Sequence, residues 1–570
     1  MGADSAIILV GDDPASLADL VAPMMSRLES AGWSQRVDDP YVRVFSPTAG
    51  RLDISRALDG HGVLLGEVFD QEGGPVAPID RRVLACRRLD VPAARAVVGE
   101  IWGRYLLVRR VDGKTAILRD PSGALEAVTW RKRGVTLVST TASAILDPWL
   151  PDDVAIDLSA LGEMVRGPGE YRHRLALTGL TPVAAGELRV VGSDQSQAEQ
   201  VWSPADIYRA AIGTPPPDLR AVVELAVRAL AGERTWVAEV SGGLDSAIVA
   251  HALRGDQQGR VAAWVNHYVD QPEGDERAYA RPVVAALGAR LTEVRRAGLG
   301  LSADRLALSA EGFRPAINDM DPDYNDDIAR RIDDHAAWGS LTGQGGDAVF
   351  FQMPSPLIAF DEVFEQGLRT RLPVIHRVAR WTRRSLWPGA WWRTWRDYRK
   401  SRSEWSHPWT ADLRGVPPAK ATQISILAFC QTFQGQAMRS RQGSCINPLL
   451  SQPVMEAGLA WSAVDLTWGG RDRAAARRAF ADVLPEALLT RRSKGELGAY
   501  YGEGVAENLP FLRDYILNGR LAEAGLLDPD LGARMNRDVL LWRGGFSQLI
   551  SLALAEAWLR RWTERLSQRV

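Results

Sequence analysis

The sequence predicts an α/β protein of two domains, the first rich in β-strands and the second built on a parallel sheet with helices on both faces. The chain has 570 residues, more than the ~250 to 300 at which a single hydrophobic core stops growing. β-Prone stretches such as 104–108 and 135–138, separated by Gly, Asp and Pro, run through the first part. Strand and helix signals alternate from Trp236 onward, which is typical of a parallel sheet.

The segment 213–218 marks the border between the predicted domains. It contains three successive prolines, which interrupt helices and strands and favour an exposed connector. We place the domains at 1–205 and 206–570, with the border just before this connector. The elements predicted after the border are a helix at 218–230, a strand at 236–240, a helix at 247–253, a strand at 261–269, a helix at 276–287 and a strand at 290–294. From about 357 to 570 the apolar periodicity is helical.

Composition and charge exclude several classes of protein. The formal net charge is -2, which argues against a nucleic acid bound over the whole surface. Three cysteines, Cys86, Cys430 and Cys445, are too few and too far apart for a disulfide framework or a paired-cysteine zinc site. The apolar run 6–10 is too short for a signal peptide or a membrane span. We therefore expect a cytoplasmic protein with no membrane span and no nucleic-acid partner.

A glycine-rich turn follows the strand predicted at 236–240. Two adjacent glycines allow a tight turn and a close approach of the backbone to a ligand, and the N–H groups at the start of the next helix face anionic oxygens. The lysine-containing loop that binds β- and γ-phosphates is absent here. A simple tight turn before a serine-capped helix is the alternative interpretation. The residues expected to bind a nucleotide are Ser241, Gly242, Gly243, Leu244, Asp245 and Ser246.

Two loops carry a family resemblance. Ser-Gly-Gly-x-Asp-Ser after a strand resembles the pyrophosphate-binding loop of ATP pyrophosphatases, so the resemblance implies a sheet of that type and ATP as the nucleotide. The segment 340–347 resembles the second acidic loop of the asparagine synthetase superfamily, which usually reads Gly-Asp-Gly-x-Asp-Glu. Here Gln344 and Ala348 replace the outer acids, and Asp347 remains. The resemblance implies that Asp245 and Asp347 hold Mg²⁺, and carboxylates suit such a hard cation; a turn-stabilising Asp347 is the alternative.

The same superfamily implies a catalytic lysine. The segment 491–496 occupies the place of its lysine stretch, so Lys494 joins Asp245 and Asp347 as an expected catalytic residue. A lysine there would offset negative charge that develops on the phosphates; a solvated surface lysine is the alternative. Asp275 and Glu276 lie where asparagine synthetases carry an acidic pair, but stabilisation of a helix N-terminus explains them equally well. We assign neither of them to the site.

The first domain resembles the glutaminase half of asparagine synthetases, at 103–108 and 118–123. That class II glutamine amidotransferase frees ammonia with a cysteine immediately after the initiator methionine, whereas this chain has Gly2. We therefore expect a degenerate glutaminase-like domain. Glutamine is not the expected nitrogen donor.

Two relatives without that cysteine remain, the β-lactam synthetases and the lasso peptide macrocyclases. β-Lactam synthetases place a tyrosine where this chain has Gln344, while 447–456, 469–473 and 492–495 resemble bacterial lasso macrocyclases. That resemblance implies adenylation of an Asp or Glu side chain of a precursor peptide, isopeptide formation with its N-terminal amine, and release of AMP and pyrophosphate. It also implies a leader-binding protein and a leader peptidase as partners. A β-lactam synthetase-like or other small-molecule amide ligase and a non-catalytic ATP-binding adaptor are the alternatives.

The segment 377–400 interleaves arginines with tryptophans. After Pro388, the helical spacing predicts one face with Trp391, Trp395 and Tyr398 and another with Arg393, Arg396 and Lys400. An amphipathic helix that packs on its own domain explains this pattern. Trp and Arg also dominate interface hot spots, so docking of a partner or a leader peptide is the second hypothesis.

Overall fold

The computed structural model describes residues 2–75, 88–166, 173–193, 195–316, 319–367, 372–435, 437–492, 495–543 and 545–569. The strands of the first part are β1 Ile7–Gly11, β2 Trp33–Asp38, β3 Val42–Pro47, β4 Ile54–Arg56, β5 Gly62–Phe69, β6 Trp102–Val111, β7 Lys114–Arg119, β8 Val128–Lys132, β9 Val135–Ser139, β10 Thr181–Pro182, β11 Glu187–Val191 and β12 Ser196–Gln200. Those of the second part are β13 Trp236–Glu239, β14 Val261–Tyr268, β15 Leu291–Arg295, β16 Gly339–Leu341 and β17 Ser444–Ile446.

Two antiparallel sheets form the first part of the chain. Their strand orders are β10-β8-β9-β1-β3-β2 and β12-β11-β7-β6-β5-β4. Alternating apolar residues such as Ile8 and Val44 of one sheet and Leu106 and Val108 of the other meet in a shared core. The opposite face of the first sheet is covered by the helix Pro14–Ser30, whose N-terminus is capped by the side chain of Asp13. The β-rich first half predicted from the sequence is confirmed.

The helices of the first part are Pro14–Ser30, Val91–Glu100, Leu158–Arg166 and Pro204–Ala211. Those of the second part are Leu219–Ala231, Leu244–Ala252, Arg277–Ala286, Ala303–Ser309, Pro322–Asp334, Gly346–Val349, Leu357–Gln366, Leu372–Trp381, Pro388–Arg402, Pro418–Cys430, Gln452–Ala460, Ala463–Leu466, Ala474–Ala479, Glu486–Thr490, Gly498–Glu507, Leu509–Leu517, Arg520–Glu523, Leu531–Arg534, Arg537–Arg543 and Phe546–Ser567. The predicted border between residues 205 and 206 falls inside Pro204–Ala211 and stays a prediction.

The second part is built on a parallel sheet of order β15-β14-β13-β16-β17. Its central strand β13 pairs with β14 on one side and with β16 on the other, so the strand order reverses beside β13. In parallel sheets of this kind ligands bind where the order reverses, beyond the carboxyl ends of the strands. Helices pack on both faces of the sheet, and the predicted α/β architecture is confirmed.

Polar contacts join the two parts near the N-terminus. Ser444 of β17 donates a hydrogen bond of 2.7 Å to the carboxylate of Asp4, and Arg104 of β6 pairs with Asp4 at 3.0 Å. Arg234, just before β13, pairs with the buried Glu67 of β5 at 2.5 Å. The contacts of Asp4 hold the first residues of the chain against the edge strand β17, and the Arg234–Glu67 pair joins β5 to the segment before β13.

The helices of the described segments are either too short or too polar to cross a lipid bilayer.

Candidate active site

The glycine-rich turn joins the central strand β13 to the helix Leu244–Ala252. The hydroxyls of Ser241 and Ser246 lie 3.0 Å apart, and the backbone N–H of Gly243 donates to Ser241 at 3.2 Å. No side chain caps the helix at Gly243, which leaves its first N–H groups to an anion. The Leu244 side chain is buried in the core, so this residue offers only its backbone to a ligand.

Gly242 has a φ of +94°, and a Cβ there would lie 2.4 Å from the carbonyl oxygen of Glu276. Both the backbone conformation and the close approach require glycine at this position. The loop is therefore packed directly against the segment that follows β14.

A second glycine-rich loop, after β16, packs on the start of the same helix. A Cβ on Gly343 would lie 2.4 Å from the backbone nitrogen of Ser246, and one on Gly346 would lie 2.6 Å from Cβ of Asp245. This approach brings Asp347, in the short helix Gly346–Val349, beside Asp245. The two carboxylates that the sequence predicted to act together thus lie at one place, next to the phosphate loop.

Arg473 joins the two carboxylates. Its Nη1 donates to Asp245 at 2.7 Å and to Asp347 at 3.0 Å, and its Nε donates to Asp472 at 3.0 Å. Although burial lowers the pKa of Arg473, the carboxylates of Asp245, Asp347 and Asp472 together raise it above the usual value. The segment 469–473 contributes to the family resemblance, but no role for Arg473 was predicted from the sequence.

The carboxylate pair fits Mg²⁺. Across the described residues, no group of three or more His, Cys, Asp or Glu side chains could hold a metal ion, but Mg²⁺ is typically bound by one or two carboxylates together with substrate phosphates. Asp245 and Asp347 both reach one guanidinium nitrogen, so both can reach one cation at that place. Asp347 is the more open of the two, with 43% of its side chain exposed.

Lys494 lies outside the described residues, but the chain on either side of it is tied to the phosphate loop. Arg491 donates to the carbonyl of Gly242 at 3.3 Å and pairs with Glu276 at 2.6 Å. The N–H of Gly495 donates to the same Glu276 carboxylate at 2.9 Å. Glu276, left out of the predicted site, therefore anchors both flanks of Lys494. Its position after β14, at the carboxyl edge of the sheet, was the signal that could have identified it.

Gln344 belongs to a part-buried polar cluster that also contains Arg439, Tyr324 and Glu239. Its side-chain oxygen accepts a hydrogen bond of 3.1 Å from Arg439, which also reaches the hydroxyl of Tyr324 at 3.4 Å. Tyr324 in turn donates to Glu239 at the end of β13. The residue that replaces the usual acid is thus held by a buried guanidinium.

Two of the three cysteines and His251 have shifted pKa values. Burial raises the pKa of Cys430 to about 12 and also raises that of Cys445, so neither is an activated thiolate. Burial lowers the pKa of His251 to about 4; its ring contacts Arg254 and lies near Glu224. Cys86 lies outside the described residues.

The helix Pro388–Arg402 has the two faces predicted from the sequence. Trp391 and Trp395 pack on Phe360, with ring centroids 5.8 and 5.6 Å apart, and Tyr398 is buried. Arg393, Arg396 and Lys400 are exposed, as is Trp392, and Trp395 is 37% exposed although its ring stacks on Phe360. The amphipathic interpretation is confirmed, and docking of a partner stays a prediction.

A family model described as asparagine synthase matches residues 218–560, more than half of the chain. The match covers the phosphate loop, the second glycine-rich loop, Arg473 and Glu276. No curated protein matches the sequence.

Two solved structures show weak similarity. The glutamine phosphoribosylpyrophosphate amidotransferase from B. subtilis, complexed with ADP and GMP, has 9% identity and a TM-score of 0.19, covering 51% of this chain and 65% of that chain. A structure described as the allosteric regulatory enzyme of purine biosynthesis has 10% identity and a TM-score of 0.20, covering 51% and 74%. This chain therefore spans less than two thirds of the first protein's length, and TM-scores this low carry no conclusion about function.

Proposed function

This chain belongs to the asparagine synthase family, whose members are ATP-dependent amide-forming ligases, and we propose that it is a lasso peptide cyclase. It uses ATP to adenylate an Asp or Glu side chain of a precursor core peptide and then closes an isopeptide ring with the core N-terminal amine. The observation that supports the proposal is that the carboxylates of Asp245 and Asp347, beside the phosphate loop, both contact Nη1 of Arg473. A single cation could therefore be bound by both.

The chemistry proceeds in two balanced steps. A carboxylate oxygen of the peptide attacks the α-phosphorus of ATP, and pyrophosphate leaves. The amine then attacks the acyl carbon, AMP leaves with that carboxylate oxygen, and the nitrogen loses a proton to water. Binding must hold the reacting atoms ~3 to 3.5 Å apart, because the peptide loses chain entropy as it folds into a ring.

The chain's own residues supply the electrostatic stabilisation. The first N–H groups of the helix that follows Gly243 and the hydroxyls of Ser241 and Ser246 are proposed to bind pyrophosphate oxygens. Asp245 and Asp347 would hold Mg²⁺, which when bound offsets phosphate charge. Lys494 is proposed to stabilise charge on the α-phosphate.

The peptide's own amine is proposed as the nitrogen source in place of ammonia from glutamine. The resemblance to class II glutaminases implies that Gly2 takes the place of their cysteine nucleophile, and burial raises the pKa values of the Cys430 and Cys445 thiols. The pure protein should therefore form no glutamate from glutamine. Measurable glutamate release would contradict this part of the proposal.

The proposed partners are the precursor peptide, a leader-binding protein and a leader peptidase. The exposed face of Pro388–Arg402 is a candidate contact, because Trp392 is 61% exposed and lies against Arg396, with the guanidinium 5.4 Å from its ring centroid.

Changing Arg393, Arg396 and Lys400 to Glu should weaken partner binding without loss of ATP binding. The same change at Arg95, Lys114 and Arg133, which are also exposed, is the matched control, and equal partner affinity of the two triple variants would remove this contact.

The test of the proposed function is a reaction with ATP and a precursor peptide that has an acidic residue in its core. The product should lose the mass of one water, and Asp245→Asn, Asp347→Asn and Lys494→Met should each slow its formation by at least about 100-fold. Asp482→Asn, at an exposed ion pair with Arg220, is the matched control.

ATP-dependent coupling of small molecules without peptide cyclisation would favour an amide ligase of the β-lactam synthetase kind. Nucleotide binding without turnover would favour an adaptor.

A further inference from the structure

The short helix that carries Asp347 is held from behind by a buried amide. Gly346–Val349 is a single turn, and a turn of this length is not stable without outside partners. The side-chain nitrogen of Gln423, in the helix Pro418–Cys430, donates to the carbonyl oxygens of Ala348 at 3.1 Å and Val349 at 2.8 Å. Gln423 therefore satisfies two carbonyl groups at the end of the turn.

A buried lysine fixes which way this amide points. The ammonium nitrogen of Lys420 donates to the side-chain oxygen of Gln423 at 2.7 Å, to the carbonyl of Trp461 at 2.6 Å and to that of Gly458 at 3.4 Å. These three acceptors use all three N–H bonds of the ammonium group. Because an ammonium group only donates, it holds the amide oxygen toward itself and the amide nitrogen toward the Asp347 helix.

This arrangement is costly, because Lys420 is 0% exposed and Gln423 is 1% exposed. Burial lowers the pKa of Lys420 to about 7, while the carboxylates of Asp361 and Glu365 raise it. Asp361 accepts hydrogen bonds from the backbone nitrogens of Ala419 and Lys420, and the ring of Tyr208 lies 5.7 Å from the ammonium. A pair of apolar side chains would fill the same space at lower cost.

We infer that Lys420 and Gln423 are positioning residues, which set the orientation of the Asp347 helix and so the affinity of the site for ATP with Mg²⁺. Within the described part of the chain, the hydrogen bonds of these two side chains do not reach the phosphate loop. Gln423 acts through the backbone of residues 348 and 349, and Lys420 acts through Gln423. The inference rests on the proposed function in one respect, the role of Asp347 toward Mg²⁺. Polar partners behind a metal ligand typically change metal affinity by about 10- to 100-fold.

The test is calorimetric titration of the full chain with ATP at limiting and at saturating Mg²⁺. Gln423→Glu keeps the shape and the contact with Lys420 but cannot donate to the two carbonyls; Lys420→Met removes the group that orients the amide. Each variant should raise the Kd for ATP by about 10- to 100-fold at limiting Mg²⁺ and by less at saturating Mg²⁺. A role in stability alone would not produce this dependence on Mg²⁺.

Glu556→Gln is the matched control. Glu556 is equally buried and accepts hydrogen bonds of 2.8 Å from the backbone nitrogens of Arg520 and Leu521, so its loss should lower stability and leave the Mg²⁺ dependence unchanged. If wild type binds ATP with Mg²⁺ and either folded variant binds it equally well at every Mg²⁺ concentration, the inference is overturned and the proposed function stands. A wild-type chain that binds no ATP would overturn the proposed function first.

Discussion

Arg473 donates a hydrogen bond of 2.7 Å to Asp245, although the two residues lie 228 positions apart in the chain. The same nitrogen also reaches Asp347 at 3.0 Å. The single positive charge of this guanidinium offsets only part of the negative charge of the two carboxylates that the family resemblance assigns to Mg²⁺. A cation that binds there must displace Arg473 or share the carboxylates with it.

Removing the guanidinium of Arg473 should strengthen Mg²⁺ binding and slow turnover. In Arg473→Met the two carboxylates lose their counter-charge, so Mg²⁺ alone should raise the Tm more than it does in wild type. Turnover should fall by about 100-fold, because positive charge near the phosphates is lost. Arg565→Met, which breaks a buried pair with Asp147, should lower stability without either effect. An unchanged response of the Tm to Mg²⁺ would contradict the assignment of the carboxylate pair.

Gly242→Ala should damage the phosphate loop. The φ of +94° and the carbonyl of Glu276, 2.4 Å from the position of an added Cβ, together predict a cost of about 1 to 3 kcal/mol in unfolding free energy and at least tenfold weaker ATP binding. Gly259→Ala has no atom within 4 Å of the added Cβ and should change neither quantity. Denaturant unfolding and nucleotide titration measure the two effects, and normal ATP binding by Gly242→Ala would exclude the loop from the nucleotide site.

Glu276→Gln should slow catalysis more than it weakens ATP binding. Glu276 holds Arg491 and Gly495 on either side of Lys494, and a displacement of ~1 Å at a catalytic group costs about 100-fold in rate. Asp275→Asn, in the neighbouring pair with Arg277, is the control. Comparing kcat with KM for ATP in the two variants tests this, and equal kcat values would show that Glu276 has no part in placing the lysine.

His407 should make stability depend on pH. Its Nδ1 accepts a hydrogen bond from the backbone N–H of Trp409, and burial lowers its pKa from 6.5 to about 3. Below pH 6.5 the imidazole of His407 binds a proton in the unfolded chain but stays neutral in the folded chain down to about pH 3. The stability contributed by neutral, buried His407 is therefore present above pH 6.5 and is lost as the pH falls toward 3. At pH 5 the loss is about 2 kcal/mol.

The variant His407→Asn keeps the hydrogen-bond acceptor and should lose less stability between pH 7 and 5, by roughly that amount. Urea unfolding at the two pH values measures it, with His335→Asn, at an exposed histidine, as control. Equal losses in His407→Asn and wild type would mean that His407 is protonated in the folded chain.

Much of the second domain could be predicted from the sequence, because its longer elements carry their own periodicity. The strands predicted at 236–240, 261–269 and 290–294 correspond to β13, β14 and β15. The strands β16 and β17 were not predicted, since each has three residues, too few for a periodic pattern. Only their pairing beside β13 makes them part of the sheet.

The candidate site was predictable only where residues lie in a recognisable loop. Asp245 and Asp347 could be assigned to one predicted site because each follows a glycine-rich turn; the structure brings them together, and their role toward Mg²⁺ stays a prediction. Arg473 and Gln423 were not predicted, because their contacts join distant parts of the chain. Glu276 was left out because stabilisation of a helix N-terminus explained its acidic side chain equally well.

The most direct test of the proposed adenylation follows the oxygen atoms of the peptide's acidic side chain. A precursor peptide labelled with heavy oxygen in that carboxylate is incubated with the protein, ATP and Mg²⁺, and the nucleotide products are examined by mass spectrometry. Attack on the α-phosphorus predicts that AMP carries one labelled oxygen, that pyrophosphate carries none, and that one label stays in the cyclised peptide. Label in orthophosphate, together with ADP, would show attack on the γ-phosphorus and would contradict the proposed adenylation.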